Sequence, residues 1–193
     1  MKRGMTGMAG IGRAIQAVIN VYTSQQQPRR GDMVQFQRSG YQHWGIYVGN
    51  GNVIHFTLPD WDCVRQDVIG GQTLLATVQR DRLADVAGRD PYAVHNQFDG
   101  DGEHPPLDPD VIVQMAEDLL GLQLPYNLLT SNCEHFATMM RYGVPQSGQT
   151  ELFCFTVDPN FARQIRRRLR ERQRDRVRSS RTVSRWFQRA EEL

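Results

Sequence analysis

The chain has 193 residues, 39% of them hydrophobic, which allows one domain with its own core plus extensions. No apolar run reaches the roughly 18 residues of a membrane-spanning helix, and no signal-peptide pattern follows the first residues, so neither an integral membrane protein nor a secreted one is predicted. The cysteines are too few for a disulfide framework and favour a reducing, cytoplasmic setting: Cys63, Cys133 and Cys154.

The net charge of +2 conceals an uneven distribution along the chain. Residues 163–193 hold twelve arginines against four acids, a net of +8, so residues 1–162 carry −6. Arginine can bind phosphate groups through paired hydrogen bonds, which would suit a phosphate-bearing partner. A codon bias toward arginine or a solvated helix face would give the same composition without such a partner. We expect the basic segment to bind peripherally to anionic membranes. Nucleic acid and a nuclear location are the alternative.

The predicted elements begin with a short amphipathic helix at residues 10–22, inside an N-terminal extension placed at residues 1–28. A compact domain at residues 29–147 follows. It begins with a strand at residues 33–36. Two strands of a hairpin come next, and they end at residue 57.

Beyond the hairpin, the sequence predicts β structure over residues 64–78 and a loop-rich stretch over residues 90–107. A helix then begins with Asp108 as N-cap and Pro109 as the first helical residue, and Gly121 ends it. A C-terminal extension at residues 148–193 contains the arginine-rich segment, which is either helical or disordered.

The register of the hairpin decides whether two histidines can act together. A two-residue turn would place His43 and His55 on opposite faces of the sheet. A three-residue loop pairs Val48 with Asn52 and Gly45 with His55, which puts both histidines on one face. We predict this longer loop, because it also leaves a continuous apolar face: Trp44, Ile46, Val48, Ile54 and Phe56.

A single cysteine stands in the first turn of a second predicted helix, at about residues 132–142, with Gly143 as C-cap. Ser131 and Glu134 fit a capping box, which makes Cys133 the second helical residue. Helix N-termini favour a thiolate and offer N–H groups to an oxyanion, so Cys133 is a candidate nucleophile. The alternative is a small buried cysteine that packs as a hydrophobic residue.

The remaining histidines and cysteines predict no metal site. His135 lies two positions from Cys133 and points away around the helix, so we interpret it as a structural or exposed residue and not as a base for this thiol. Paired Cys-x-x-Cys or His-x-x-x-His spacings are absent from the sequence, and zinc binding is therefore not favoured.

Two groups of short segments carry these candidate residues in a fixed order. The first contains Gly31-Asp32, residues 40–49 with His43-Trp44-Gly45, and Val53-Ile54-His55. The second contains Leu124-Pro125-Tyr126, Asn132-Cys133-Glu134-His135-Phe136 and Arg141-Tyr142-Gly143-Val144. They resemble the histidine and cysteine boxes of the lecithin retinol acyltransferase-like superfamily. The strongest likeness is to the phospholipase A and acyltransferase family, also called HRAS-like suppressors, over roughly residues 29–147.

This resemblance implies an α+β, circularly permuted papain-like fold of the NlpC type, with an antiparallel sheet packed against helices. It implies Cys133 as nucleophile, His43 as general base and His55 as the residue that orients His43. The implied substrate is a phospholipid, whose acyl chain forms a thioester that water, an amine or a lysolipid resolves. The implied chemistry needs no metal, cofactor or calcium.

The sequence departs from the family in three places. Gly45 replaces a usual alanine, residues 1–28 extend the N-terminus, and an arginine-rich tail stands where the family usually has a hydrophobic membrane segment. Some picornavirus 2A proteins also resemble this chain in the histidine box and Asn-Cys pair, without established catalysis. The alternative function is therefore a catalytically weak or inactive interaction protein with this fold, such as a viral protein of the 2A type, that engages host factors, membranes or RNA.

Overall fold

The computed structural model describes residues 27–59, 74–100, 102, 104–147 and 156–191. The predicted helix at residues 10–22, Cys63, Cys154 and the first part of the predicted β segment lie outside the described residues. The described elements are, in chain order, β1 (Met33–Arg38), β2 (Tyr41–Gly49), β3 (Asn52–Thr57), β4 (Leu74–Arg82), α1 (Leu83–Ala87), β5 (Tyr92–Val94), α2 (Pro109–Asp118), β6 (Gln123–Tyr126), α3 (Cys133–Tyr142) and α4 (Pro159–Glu191).

The six strands form one sheet in the order β5-β1-β2-β3-β4-β6, and every neighbouring pair is antiparallel. One face packs against α2, α3 and the start of α4 around a large apolar core that includes Trp44, Ile54 and Phe136. The opposite face packs against α1 through a smaller cluster that includes Phe36 and Val86. The predicted α+β architecture, an antiparallel sheet packed against helices, is confirmed.

The hairpin has the predicted pairing of Gly45 with His55, but the predicted loop is wrong. A two-residue turn joins the strands, with Gly49 opposite Asn52, and a bulge between Tyr47 and Gly49 shifts the register. Asn50 and Gly51 both have positive φ, at 53° and 73°, which suits the tight turns that match strand twist. The extra bulge residue returns both histidines to one face.

Helix α2 begins as predicted, with the Asp108 side chain accepting from the backbone N–H of Asp110. Helix α3 ends as predicted at Gly143, which has left-handed dihedrals. Its N-terminal cap differs from the prediction, because Asn132 and His135 form the capping box. Cys133 is consequently the first residue of the helix rather than the second.

Strand β4 and the loop-rich stretch differ from the sequence predictions, whereas the arginine-rich segment adopts one of its two predicted states. Strand β4 ends at Arg82 rather than at residue 78, and α1 follows it directly. The loop-rich stretch contains the short strand β5, which pairs with β1. The arginine-rich segment is helical from Pro159 to Glu191. Among the described residues, no helix is both long and apolar enough to cross a membrane.

Candidate active site

His43, His55 and Asp81 form a chain of hydrogen bonds on the face of the sheet that packs against α1. His43 Nε2 lies 2.7 Å from His55 Nδ1, and His55 Nε2 lies 2.9 Å from Asp81 Oδ2. Both rings are buried, whereas the Asp81 side chain is 44% exposed. The structure thus brings the two predicted histidines together and adds a carboxylate.

This chain of contacts defines the tautomer of each ring. A carboxylate can only accept, so His55 Nε2 carries the proton and its Nδ1 accepts. His43 Nε2 must therefore donate to His55, which leaves the lone pair on His43 Nδ1. This nitrogen is the one that can act as a base.

Cys133 packs against strand β2 and contacts the backbone of the two residues that flank His43, Gln42 and Trp44. Its thiol donates to the Gln42 carbonyl at 3.9 Å, and the backbone N–H of Trp44 points at the sulfur. The Tyr126 hydroxyl donates to Sγ at 3.6 Å. Among the hydrogen bonds of the described residues, none joins Cys133 to His43, so the catalytic pairing of the two stays a prediction.

Burial raises the pKa of the Cys133 thiol to about 11, although Tyr126 and the Trp44 N–H both favour the thiolate. The expected lowering by the helix N-terminus is therefore outweighed by desolvation. Burial, and then the positive form of His55, hold the pKa of His43 well below its usual value. The resting site consequently contains a neutral thiol and a neutral imidazole.

The first turn of α3 offers fewer free donors than the sequence suggested. The Asn132 side chain accepts from the backbone N–H groups of Glu134 and His135 at 2.9 Å and 3.0 Å. The donors at the sulfur are the Tyr126 hydroxyl and the backbone N–H groups of Trp44 and Cys133. They are the groups that could stabilise an oxyanion at Cys133.

The other residues of the Asn-Cys-Glu-His motif have structural roles. His135 is fully buried, and its Nδ1 accepts from the Asn132 N–H at 3.3 Å. Glu134 is also buried, and it accepts from Gln97 and from Ser147. The motif therefore holds the start of α3 in place and presents only Cys133 to β2.

A polar pocket of about 310 Å³ lies beside the histidines on the α1 side of the sheet. Arg38 and Asp81 line it together with His43 and His55. Arg38 donates to the Val86 and Ala87 carbonyls at the end of α1 and pairs with Asp90, so it fixes the wall of the pocket. In the part of the chain that the structure describes, no cluster of His, Cys, Asp and Glu is arranged to hold a metal.

Sequence reasoning missed Asp81 and Tyr126. On β4, Gln79 lies opposite His55, and Asp81 is two residues further along the same strand face. The predicted β segment ended at residue 78, so this alternation was not extended to Asp81. Tyr126 stands in a segment that was recognised, but its contact with the sulfur depends on how β6 approaches α3.

Comparison with known proteins covers the part of the chain that contains these residues. Residues 26–146 match the family profile described as lecithin retinol acyltransferase. Phospholipase A and acyltransferase 2 of Homo sapiens is 42% identical over 125 residues, 63% of this chain and 75% of the relative. Phospholipase A and acyltransferase 3 of Mus musculus is 41% identical over 125 residues, 64% and 76% respectively. Phospholipase A and acyltransferase 1 of Homo sapiens is 36% identical over 135 residues, 68% and 77%.

Proposed function

Because the chain belongs to the lecithin retinol acyltransferase family, we propose that it is a phospholipase A and acyltransferase that works through a Cys133 thioester without calcium. The observation that carries this proposal is the His43–His55–Asp81 chain, which crosses three neighbouring strands and begins on β2, the strand that Cys133 contacts. Such a chain supplies a base of defined tautomer beside a candidate nucleophile.

In the proposed reaction, His43 Nδ1 removes the Cys133 proton as the sulfur attacks the ester carbonyl of a phospholipid. The resulting oxyanion is stabilised by the Tyr126 hydroxyl and the Cys133 N–H. Collapse of the intermediate breaks the ester bond, and the leaving lysophospholipid oxygen takes the proton from His43. Water, activated by His43, then releases a fatty acid, whereas an amine or a lysolipid hydroxyl accepts the acyl chain instead.

The neutral resting pair gives His55 and Asp81 a distinct part in this reaction. His43 acquires a positive charge only when it takes the thiol proton. His55 accepts a hydrogen bond from the charged ring, and the Asp81 carboxylate polarises His55 in turn. Asp81 is therefore a positioning residue that acts through His55.

The test is incubation of the purified full chain with phosphatidylcholine in the presence of EDTA, with intact-mass analysis. We expect fatty acid release and a mass increase on the protein that matches one acyl chain. Cys133→Ala, checked for an unchanged circular dichroism spectrum, should abolish both. Equal fatty acid release by this variant would refute a thioester at Cys133.

A second candidate function is a non-catalytic interaction protein that retains the fold. It is favoured by the buried thiol, whose pKa is raised to about 11, and by the lack of a Cys133–His43 hydrogen bond among the described residues. It predicts no acyl-enzyme with any phospholipid, and a biological effect that survives Cys133→Ala.

We also propose a peripheral location at cytoplasmic membrane surfaces, since the proposed substrate is a bilayer lipid. The arginine-rich C-terminal segment would supply the attraction to anionic headgroups. Nucleic acid is the competing ligand for the same charge.

A further inference from the structure

Helix α4 separates its residues into two faces of different chemistry. The inward face contains Phe161 and Ile165, both buried in the main apolar core. Further along the same face, Arg172 Nε donates to the Asp118 backbone carbonyl at 3.3 Å, and Arg176 pairs with the Asp118 carboxylate. These contacts anchor α4 on the end of α2 and define which side of the helix faces outward.

The outward face of α4 is a stripe of arginines. Spacings of three and four residues place them on one side of a helix, opposite the anchored positions. All six are exposed, and we call them the arginine face: Arg163, Arg166, Arg167, Arg170, Arg174 and Arg178. Within the described residues, Arg166, Arg170 and Arg174 have no ion pair, and Arg167 has only a 3.8 Å contact with Glu171.

The start of α4 lies against the loop that leads to the candidate nucleophile. The backbone N–H of Asp158 donates to the Thr130 carbonyl at 2.9 Å, two residues before the Asn132 cap. The Phe161 ring is 5.8 Å from the Phe56 ring, which is itself 5.4 Å from the ring of Tyr126. The N-terminal end of α4 is therefore adjacent to the segment between Tyr126 and Cys133, and a surface that meets α4 at this end would lie on the same side of the sheet as that segment.

We propose that the arginine face docks the enzyme on an anionic phospholipid bilayer and brings the loop before Cys133 to the lipid. The fixed rotation of α4 makes the charge one-sided, as binding to a flat surface requires. Guanidinium groups can form paired hydrogen bonds with lipid phosphates. The choice of lipid over nucleic acid rests on the proposed function, because a phospholipid substrate lies in the same surface.

The direct test is cosedimentation of full-length Cys133→Ala protein with vesicles of phosphatidylcholine containing 30% phosphatidylserine. A variant with Arg163, Arg166, Arg170 and Arg174 all changed to Gln should bind at least about 100-fold more weakly, since each arginine is worth about fivefold at such a surface. The matched control changes the same four residues to Lys and should retain most of the binding. Wild-type-like binding by the Gln variant would overturn the proposal.

Two further arms separate lipid from other ligands. Binding should be weak on pure phosphatidylcholine vesicles and should decrease steeply between 50 and 300 mM salt. Equal binding to pure phosphatidylcholine would refute docking by charge. If single-stranded RNA or duplex DNA displaces the protein from the vesicles at equal phosphate concentration, nucleic acid is the preferred partner and the proposal is wrong.

Activity measurements distinguish this proposal from the proposed function. Dispersed short-chain phosphatidylcholine reports the chemistry alone, and the four-Gln variant should hydrolyse it at the wild-type rate while losing hydrolysis of anionic vesicles. If the wild type hydrolyses neither substrate, the proposed function fails, whereas vesicle binding by the Cys133→Ala protein still decides the docking surface. Loss of both activities in a correctly folded four-Gln variant would contradict a role restricted to docking.

Discussion

His43 and His55 lie 2.7 Å apart, from Nε2 to Nδ1, on one face of a hairpin whose turn alone would have separated them. The tight turn at Asn50 and Gly51 pairs Gly49 with Asn52, a register that would place the two histidines on opposite faces. The bulge at the end of β2 adds one residue and shifts the pairing to Gly45 with His55, which places them on the same face. Val48, which lies in the bulge, packs in the main core. The positions of both histidines thus depend on one irregular residue in β2.

Asp81 should be important for the reaction although it cannot touch the substrate carbon. Asp81→Asn offers His55 Nε2 an amide in place of a carboxylate, which weakens the hold on the His55 tautomer and on the charged form of His43. We expect kcat/KM to fall by roughly 10- to 100-fold, and the acid limb of its pH profile to move to lower pH. Steady-state assays from pH 5 to 9 would measure both.

Two variants make the Asp81 prediction specific. Asp81→Glu keeps the carboxylate and should recover most of the activity. Asp110→Asn removes an exposed carboxylate on α2 that pairs with Arg30, and it should leave the pH profile of kcat/KM unchanged. A full plateau rate in Asp81→Asn, with an unshifted acid limb, would show that the carboxylate has no part in positioning the histidines.

Tyr126 is expected to stabilise negative charge at Cys133. Tyr126→Phe removes the O–H donor to Sγ but keeps the ring that packs on Phe56. The thiol pKa should rise further, and kcat should fall by roughly 10- to 100-fold, because a hydrogen bond to a charged group is lost. The rate of iodoacetamide labelling against pH would report the thiol pKa.

The matched control for Tyr126 is Tyr142→Phe. Its hydroxyl donates to Asp99 at 2.9 Å, away from the sulfur, so labelling of Cys133 should not change. If Tyr126→Phe labels at the wild-type rate across the pH range, the 3.6 Å contact does not stabilise the thiolate. The role of Tyr126 as an oxyanion donor would then need a different basis.

Residue spacing alone predicted the parts of the fold that local chemistry dictates. Asp108 with Pro109 marks a helix start and Gly143 a helix end, because capping depends on a few neighbouring residues. The alternation of apolar residues in β2 and β3 indicated the shared face of His43 and His55. These predictions needed no knowledge of distant contacts.

The wrong or missing predictions depended on tertiary structure. A two-residue turn followed by a bulge pairs Gly45 with His55, as a three-residue loop would. The alternation of apolar residues along the strands is the same in both cases and could not distinguish them. Asn132 and Ser131 are both good caps, and the choice followed from Ser131 Oγ bonding the Pro125 carbonyl instead. The thiol pKa depended on how deeply β2 and β6 bury Cys133, which no local motif reports.

Arg141 should contribute more to stability than any surface pair. It is 8% exposed, it forms a two-pronged ion pair with Asp99 at 2.8 Å and 2.6 Å, and it donates to the Gly31 carbonyl at 2.8 Å. Arg141→Gln should lower the free energy of unfolding by about 3 kcal/mol, because the buried carbonyl and Asp99 both lose their partner. Urea denaturation followed by tryptophan fluorescence would measure the loss.

The control for Arg141 is Arg80→Gln, which removes a surface pair with Glu117. Its side chain is 41% exposed, so the change should cost less than about 1 kcal/mol. Equal losses in the two variants would mean that the Arg141 network contributes no more than a surface contact.

His135 should make the fold sensitive to acid. Burial lowers the pKa of His135 to about 4, whereas an unfolded chain holds it near 6.5. The unfolded state therefore binds one more proton between these values, so stability is complete above about pH 6.5 and is lost as the pH falls towards 4. The contribution of His135 to this loss is about 3 kcal/mol.

His135→Gln isolates that contribution, since glutamine is itself a favoured residue at this position of a capping box. Near pH 7 the variant should be close to the wild type in stability. At pH 4.5 it should be the more stable protein, because it has no buried imidazole to protonate. The curves of unfolding free energy against pH for the variant and the wild type should therefore cross between pH 4.5 and 7.5. The slope of the variant's curve should correspond to up to one proton fewer. Parallel curves would show that His135 does not couple folding to pH.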